Sequence, residues 1–174
     1  MKALKVATNK LSEQGHSVYL VDPSHLSLND PGFAPTEDAL HLMEKVKEAD
    51  AIILATPEYH GGYSSVIKRV IENLGFPSEL SGKPVALLGV AAGQIGAIKS
   101  IESLRTVVSH VGGLVLPKAI SIANVQGVFD EEGKPTDAHA EKALNSLAST
   151  IHNYLDQASE LPQGKVSNSE AQRV

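Results

Sequence analysis

Two short segments concentrate residue types that can do chemistry. The first, Thr56-Pro-Glu-Tyr-His-Gly-Gly-Tyr, joins a proline that fixes φ, an aromatic ring that can stack, and paired glycines that let backbone N–H groups approach a ligand closely. Ser64-Ser65 follows at once and opens a helix, so the positive end of that helix dipole faces the same space. The second segment is Ala91-Ala-Gly-Gln-Ile-Gly. With Gly89 it spells G-x-x-x-G-x-x-G, not the dinucleotide fingerprint G-x-G-x-x-G. What it offers is a concave surface poor in side chains, against which a flat ring can lie. Both segments also suit blander roles: a connector of ordinary turn residues, and a small-residue loop required by tight helix–strand packing. Spacing alone leaves both alternatives open.

Other chemistries find less support. His16, His25, His41, His60, His110, His139 and His152 form no H-E-x-x-H and no i, i+4 pair, so no metal site is expected. No G-x-S-x-G elbow and no G-x-x-x-x-G-K-S/T phosphate loop occurs, so there is no visible activated nucleophile for a hydrolase. Glu58 and His60 alternate along the first segment and have the chemistry of an acid and a base, although carboxylates and imidazoles so spaced are ordinarily solvated.

The elements that must hold these loops follow from periodicity. Residues 1–14 place Leu4, Ala7 and Leu11 three and four apart, which predicts an amphipathic helix ended by Gly15 and lacking a start signal. Residues 17–21 are β-branched and apolar and stop at Asp22-Pro23, which predicts a strand. A polar loop over 24–35 leads to a helix capped at Thr36 and running to Lys47. Continuous apolar runs at 51–55 and 84–90 predict strands buried on both faces. Helices are expected over 65–74, with the stripe Val66, Ile67, Val70 and Ile71, and over 97–111, ended by Gly112-Gly113. Residues 114–125 read as an edge strand broken near Pro117. A hairpin-like loop over 126–135 precedes a final helix over 136–157, and the polar tail 161–174 is expected to be disordered. Helices alternating with apolar strands predict a single α/β domain over 1–160 with a mostly parallel sheet.

Composition sets the outer bounds. At 174 residues and 42% apolar content the chain suits one domain with a real core. A net charge of -5 argues against general nucleic-acid or anionic-membrane binding. Zero cysteines remove disulfides, thiol redox chemistry and cysteine-ligated metals. With no long apolar run or signal-like start, a cytoplasmic location is expected.

Residues 56–74, TPEYHGGYSSVIKRVIENL, resemble the signature of the NADPH-dependent FMN reductase family, a flavodoxin-like group that includes azoreductases, quinone reductases and chromate reductases. The family pattern reads approximately P-E-Y-N-G-S-x-P-x-x-L-K-N-x-I-D. Pro57, Glu58, Tyr59, Gly61, Lys68 and Ile71 match it, while His60 stands for Asn, Gly62 for Ser and Ser64 for Pro. The likeness extends to Leu80-Ser-Gly-Lys-Pro-Val-Ala-Leu-Leu-Gly, to the 91–96 loop and to Val128-Phe-Asp-Glu-Glu-Gly-Lys-Pro-Thr-Asp.

This resemblance implies a flavodoxin-like three-layer sandwich. It implies FMN with its ring against Pro57, Glu58, Tyr59, His60, Gly61, Gly62, Ala92, Gly93, Gln94 and Gly96. Hydride would pass from NAD(P)H through the flavin to a quinone, azo compound, free flavin or metal oxyanion. No single catalytic residue is implied, since the cofactor carries the chemistry. A homodimer or homotetramer is also implied, with the 65–74 helix at the boundary.

One departure stands out. Family members usually begin with a strand and a phosphate loop resembling G-S-x-R-x-x-S-x-N, whereas residues 1–14 resemble the helix that follows them. In sheet order 2-1-3-4-5 that strand is internal, and its loss would leave a gap of ~9.6 Å between its neighbours. Three outcomes are open: residues 17–21 pair with 51–55, another chain fills the gap, or the gene product starts upstream. The chain as given is then expected to hold FMN weakly or not at all. The alternative function is a catalytically silent domain acting through oligomer or partner contacts.

Overall fold

The computed structural model describes residues 1–160, so the tail expected from Leu161 onward lies outside the described residues. Its organising element is β3 (Pro84–Val90), an apolar strand paired along both edges. On one side β1 (Ile52–Tyr59) runs parallel to it, in register from Ile52↔Val85 to Pro57↔Val90. On the other side β4 (Leu114–Val115) and β5 (Ile120–Ile122) share its length, both parallel. Pro117 lies between them, where a residue without an N–H breaks the ladder as its sequence position suggests. β2 (Gly62–Tyr63) folds back antiparallel on β1, which makes the sheet mixed but mostly parallel.

Alternation along β3 divides the core into two. Ala86 and Leu88 face a cluster with Ala3, Ala7 and Leu11 of α1 (Lys2–Glu13) and Leu144, Leu147 and Ile151 of α5 (Ala138–Glu160). Val85 and Leu87 face the opposite cluster. There α2 (Glu37–Glu48) contributes Leu42 and Val46, α3 (Ser65–Glu72) contributes Ile67, Val70 and Ile71, and α4 (Ile98–His110) contributes Ile101, Leu104 and Val108. Layers of helix, sheet and helix are the sandwich expected from the sequence.

Local signals place the helix ends well. The Thr36 hydroxyl accepts the Ala39 N–H at 3.1 Å, as an N-cap should. Ser64 does the same for Ile67 at 3.2 Å. α1 has no side-chain cap at its start, and Gly15 ends it with a φ of +90°. The hairpin-like loop before α5 contains one antiparallel bridge, Phe129↔Pro135.

Two strand expectations need correction. Residues 17–21 form no strand: none of their backbone groups makes a backbone hydrogen bond, and Val18, Tyr19 and Leu20 are exposed. A strand exists through its pairing, and this segment is tethered elsewhere. His16 bonds His152 on α5, and the Tyr19 hydroxyl meets His41 on α2, so the segment passes from one helical layer to the other and does not pair with β1. In consequence β1 has a ladder partner over Ile52–Pro57 on its β3 edge only, among the described residues. The second correction is its burial. β1 was expected to be buried on both faces, yet only Leu54 and Thr56 are fully buried, consistent with that open edge. β1 is also longer than the apolar run, because it continues through Pro57 and Glu58 into the hairpin.

Candidate functional site

Both chemically loaded loops leave the carboxyl ends of adjacent parallel strands, β1 and β3, which is where open α/β sheets bind ligands. The first is a tight hairpin. Tyr59 pairs with Gly62 across a two-residue turn, His60-Gly61, with φ of 51° and 77°. Turns of this kind need positive φ at both central positions, which Gly accepts freely and which His and Asn tolerate better than most residues. The His60-for-Asn difference from the family pattern therefore conserves the turn. Tyr59 stands 63% exposed at its base.

The hairpin is closed from beneath by Thr56, which is buried. Its Oγ1 accepts the Ser64 N–H at 2.9 Å and donates to the Pro57 carbonyl at 3.0 Å. Ser64 in turn caps α3, so one buried hydroxyl fixes where strand, turn and helix meet.

The second loop is pinned at both ends and open in the middle. Ala91 donates to Ile122, Val125 donates to Ala91, and Asn124 donates to the Gly93 carbonyl. Among the described residues the N–H groups of Ala92, Gly93, Gln94 and Ile95 take no protein acceptor, and all four residues are exposed. The glycines separate into two roles. A Cβ on Gly89 would lie 2.6 Å from Ala97 Cβ and 2.9 Å from Ile101, and one on Gly96 would strike the Ser121 side chain. Packing excludes a side chain at both positions, at Gly89 against the start of α4 and at Gly96 against Ser121 of β5. A Cβ on Gly93 would meet nothing within 4 Å, so Gly93 alone faces free space.

The two loops are joined through α4. Glu58 Oε2 accepts the Ser100 N–H at 3.1 Å, and the Lys99 side chain passes 3.5 Å from where a Gly61 Cβ would sit. Ala97, just before α4, donates its N–H to Ser121 Oγ at 2.8 Å. Glu58 and His60 make no hydrogen bond to each other among the described residues; the Glu58 carboxylate instead accepts from α4. Ser100 and Ser121 carried no signal in the sequence. They enter the site only because the sheet brings β5 and α4 beside the loops.

The space between the loops is an open surface, edged by exposed Tyr59 and Ile95. Two broad, shallow hollows lie elsewhere, one over α2 and one between the start of α1 and the 131–135 loop. A flat ligand with polar atoms along one edge suits this surface: it could lie on Gly93 and reach four unclaimed N–H donors. Neither loop contains a lysine or arginine, so polar recognition by these loops rests on backbone N–H groups.

An α/β sandwich presenting such a surface at the carboxyl edge of its parallel strands is of the flavodoxin-like class. Residues 1–127 match the sequence family described as NADPH-dependent FMN reductase. An NAD(P)H-dependent FMN reductase of Pseudomonas aeruginosa is 32% identical over 138 residues, 75% of this chain and 74% of that protein. An NADPH azoreductase of a Bacillus species is 35% identical over 107 residues, 60% of each chain. The structure of FerB, a flavoenzyme NAD(P)H:(acceptor) oxidoreductase from Paracoccus denitrificans, superposes with a TM-score of 0.72 at 25% identity, covering 89% of this chain and 88% of that one. An archaeal flavodoxin shares the fold at a TM-score of 0.62.

The chain belongs to the NADPH-dependent FMN reductase family. It is an FMN-dependent NAD(P)H oxidoreductase. No helix of the described residues is long and apolar enough to cross a membrane.

Proposed function

We propose that the FMN ring lies between the two loops, against Pro57, Glu58, Tyr59, His60, Gly61 and Gly62 on one side and Ala92, Gly93, Gln94 and Gly96 on the other. The observation that carries this reading is the row of unclaimed N–H groups at 92–95 beside the open face of Gly93. When bound, FMN supplies hydride acceptance from a nicotinamide and electron delivery to an acceptor. The protein's own share is positional. Donors fixed in the loop meet the polar edge of the ring and favour added negative charge without reorganising. Gly93 leaves room for close approach, and Tyr59 covers apolar surface. His60 shapes the turn and transfers no proton.

The open surface suits a second planar or small oxidant, which supports a quinone, azo compound, free flavin or metal oxyanion as acceptor. The azoreductase name of the Bacillus relative points the same way. A homodimer or homotetramer of the 1–160 domain, with α3 at the boundary, is supported by the exposure of Val66 on that helix. A cytoplasmic location accords with a nicotinamide as reductant. The silent-domain reading is not favoured, since the two sequence relatives named above are an FMN reductase and an azoreductase.

The test is a visible spectrum of the purified chain titrated with FMN. Binding that perturbs the flavin bands, followed by bleaching with NADPH or NADH, supports the ring site. A spectrum that stays that of free FMN at all concentrations overturns it.

A further inference from the structure

We propose that Glu58 is a positioning residue, whose carboxylate ties the first turn of α4, and the 92–96 loop leading into it, to the β1–β2 hairpin. The inference rests on the ring-site reading above, in which Glu58 lines the ring through its backbone, and assigns its carboxylate a separate task, acting through α4.

α4 begins without a cap of its own. Ala97 occupies the capping position and has no side chain that could accept a hydrogen bond. Exposed first-turn N–H groups are normally satisfied by a side chain within three residues. Here the acceptor is Glu58 Oε2, 42 residues away on another element. The partner it holds is rigid: Ser100 is fully buried, and its hydroxyl donates to the Ala97 carbonyl at 2.9 Å. The other end of the same turn is held by Ser121, through the Ala97 N–H. Two acceptors from β1 and β5 thus fix the start of α4 from opposite sides, and the donors at 92–95 are placed by that grip. The Lys99 side chain passes 3.5 Å from where a Cβ on Gly61 would sit, so hairpin and helix also approach each other there.

The carboxylate also carries charge. It sits at the positive end of α4 and offsets part of that potential beside the ring. Reduction adds negative charge to the ring, so a carboxylate here weakens binding of the reduced form relative to a neutral amide of the same shape. Glu58→Gln keeps an acceptor oxygen and removes the charge, whereas Glu58→Ala removes both.

The experiment compares the parent, Glu58→Gln and Glu58→Ala by two readouts. The first is hydrogen exchange of the Ser100 amide without flavin. The second is FMN affinity measured separately for the oxidised and the dithionite-reduced cofactor. In Glu58→Ala the Ser100 amide should exchange about tenfold faster, with affinity falling in both redox states. In Glu58→Gln protection and oxidised-FMN affinity should be largely rescued. Its preference for reduced over oxidised FMN should rise by up to about tenfold, equivalent to about 30 mV for a two-electron couple.

Equal Ser100 exchange in the parent and Glu58→Ala overturns the proposal. So does a Glu58→Gln protein that binds oxidised FMN as poorly as Glu58→Ala, since the carboxylate would then be touching the cofactor itself. If Glu58→Ala does not fold, Ser100 exchange in Glu58→Gln decides, and faster exchange there with normal thermal unfolding counts against a shape-based tie. A parent that binds no FMN overturns the ring-site reading instead, and the exchange rates still decide the tie.

Discussion

Thr56 Oγ1 accepts the backbone N–H of Ser64 at 2.9 Å, and both residues are buried. This bond closes the eight-residue path from β1 through the hairpin to α3, so the hairpin stands on a fixed base. Thr56→Val keeps the shape and leaves a buried N–H without an acceptor, at an expected cost of about 1–3 kcal/mol. Thr56→Ser should recover most of it. Urea unfolding measures the difference, and equal midpoints for Val and parent would remove Thr56 from this role.

Gly89 and Gly93 should respond oppositely to the same change. Gly89→Ala forces a methyl against Ala97 and Ile101 and is expected to destabilise the fold by about 1–3 kcal/mol, as overpacking does. Gly93→Ala adds a methyl to open space and should leave stability within about 0.5 kcal/mol of the parent. Its effect should fall on FMN affinity. Thermal unfolding and flavin titration of the two variants separate packing from binding.

His60 adopts a φ of 51°, so its replacement should be read first as a turn effect. His60→Asn should preserve stability and turnover. His60→Val places a β-branched residue where left-handed backbone costs about 1–2 kcal/mol, and stability should fall accordingly. His60→Ala should lower turnover without abolishing it. Complete loss of turnover in His60→Ala with flavin still bound would assign His60 a chemical step and refute a purely structural role.

Asp137 caps the start of α5, its Oδ1 accepting the N–H of His139 at 2.7 Å and of Ala140 at 2.9 Å. The Ala140 bond first, and the His139 bond second, hold its carboxyl below the usual value of 3.8. A depressed folded value means the stabilisation is fully present above 3.8 and is lost as pH falls from there through the folded value. Asp137→Asn should therefore flatten the acid end of the stability–pH curve and leave its neutral region nearly level. Guanidinium unfolding at a series of pH values below 5 tests this, and an unchanged acid slope would count against the cap.

Much of the molecule was written locally. Thr36 and Ser64 marked helix starts, Gly15 marked an end, and β3 announced itself as an unbroken apolar run, because capping and burial are properties of a few neighbouring residues. The two loops were legible for the same reason, in their prolines, glycines and order. Tertiary structure decided what depends on partners distant in sequence. Residues 17–21 have strand-forming composition yet stay unpaired, since pairing is a property of the neighbour and not of the segment. The tie from Glu58 to Ser100, the grip of Ser121 on Ala97, and the division of the glycines into packing and open positions likewise required the sheet to be assembled. Sequence by itself determined which surfaces exist and which family's loops they resemble. The fold decided which backbone donors remain unclaimed, because only packing shows which N–H groups have already been taken.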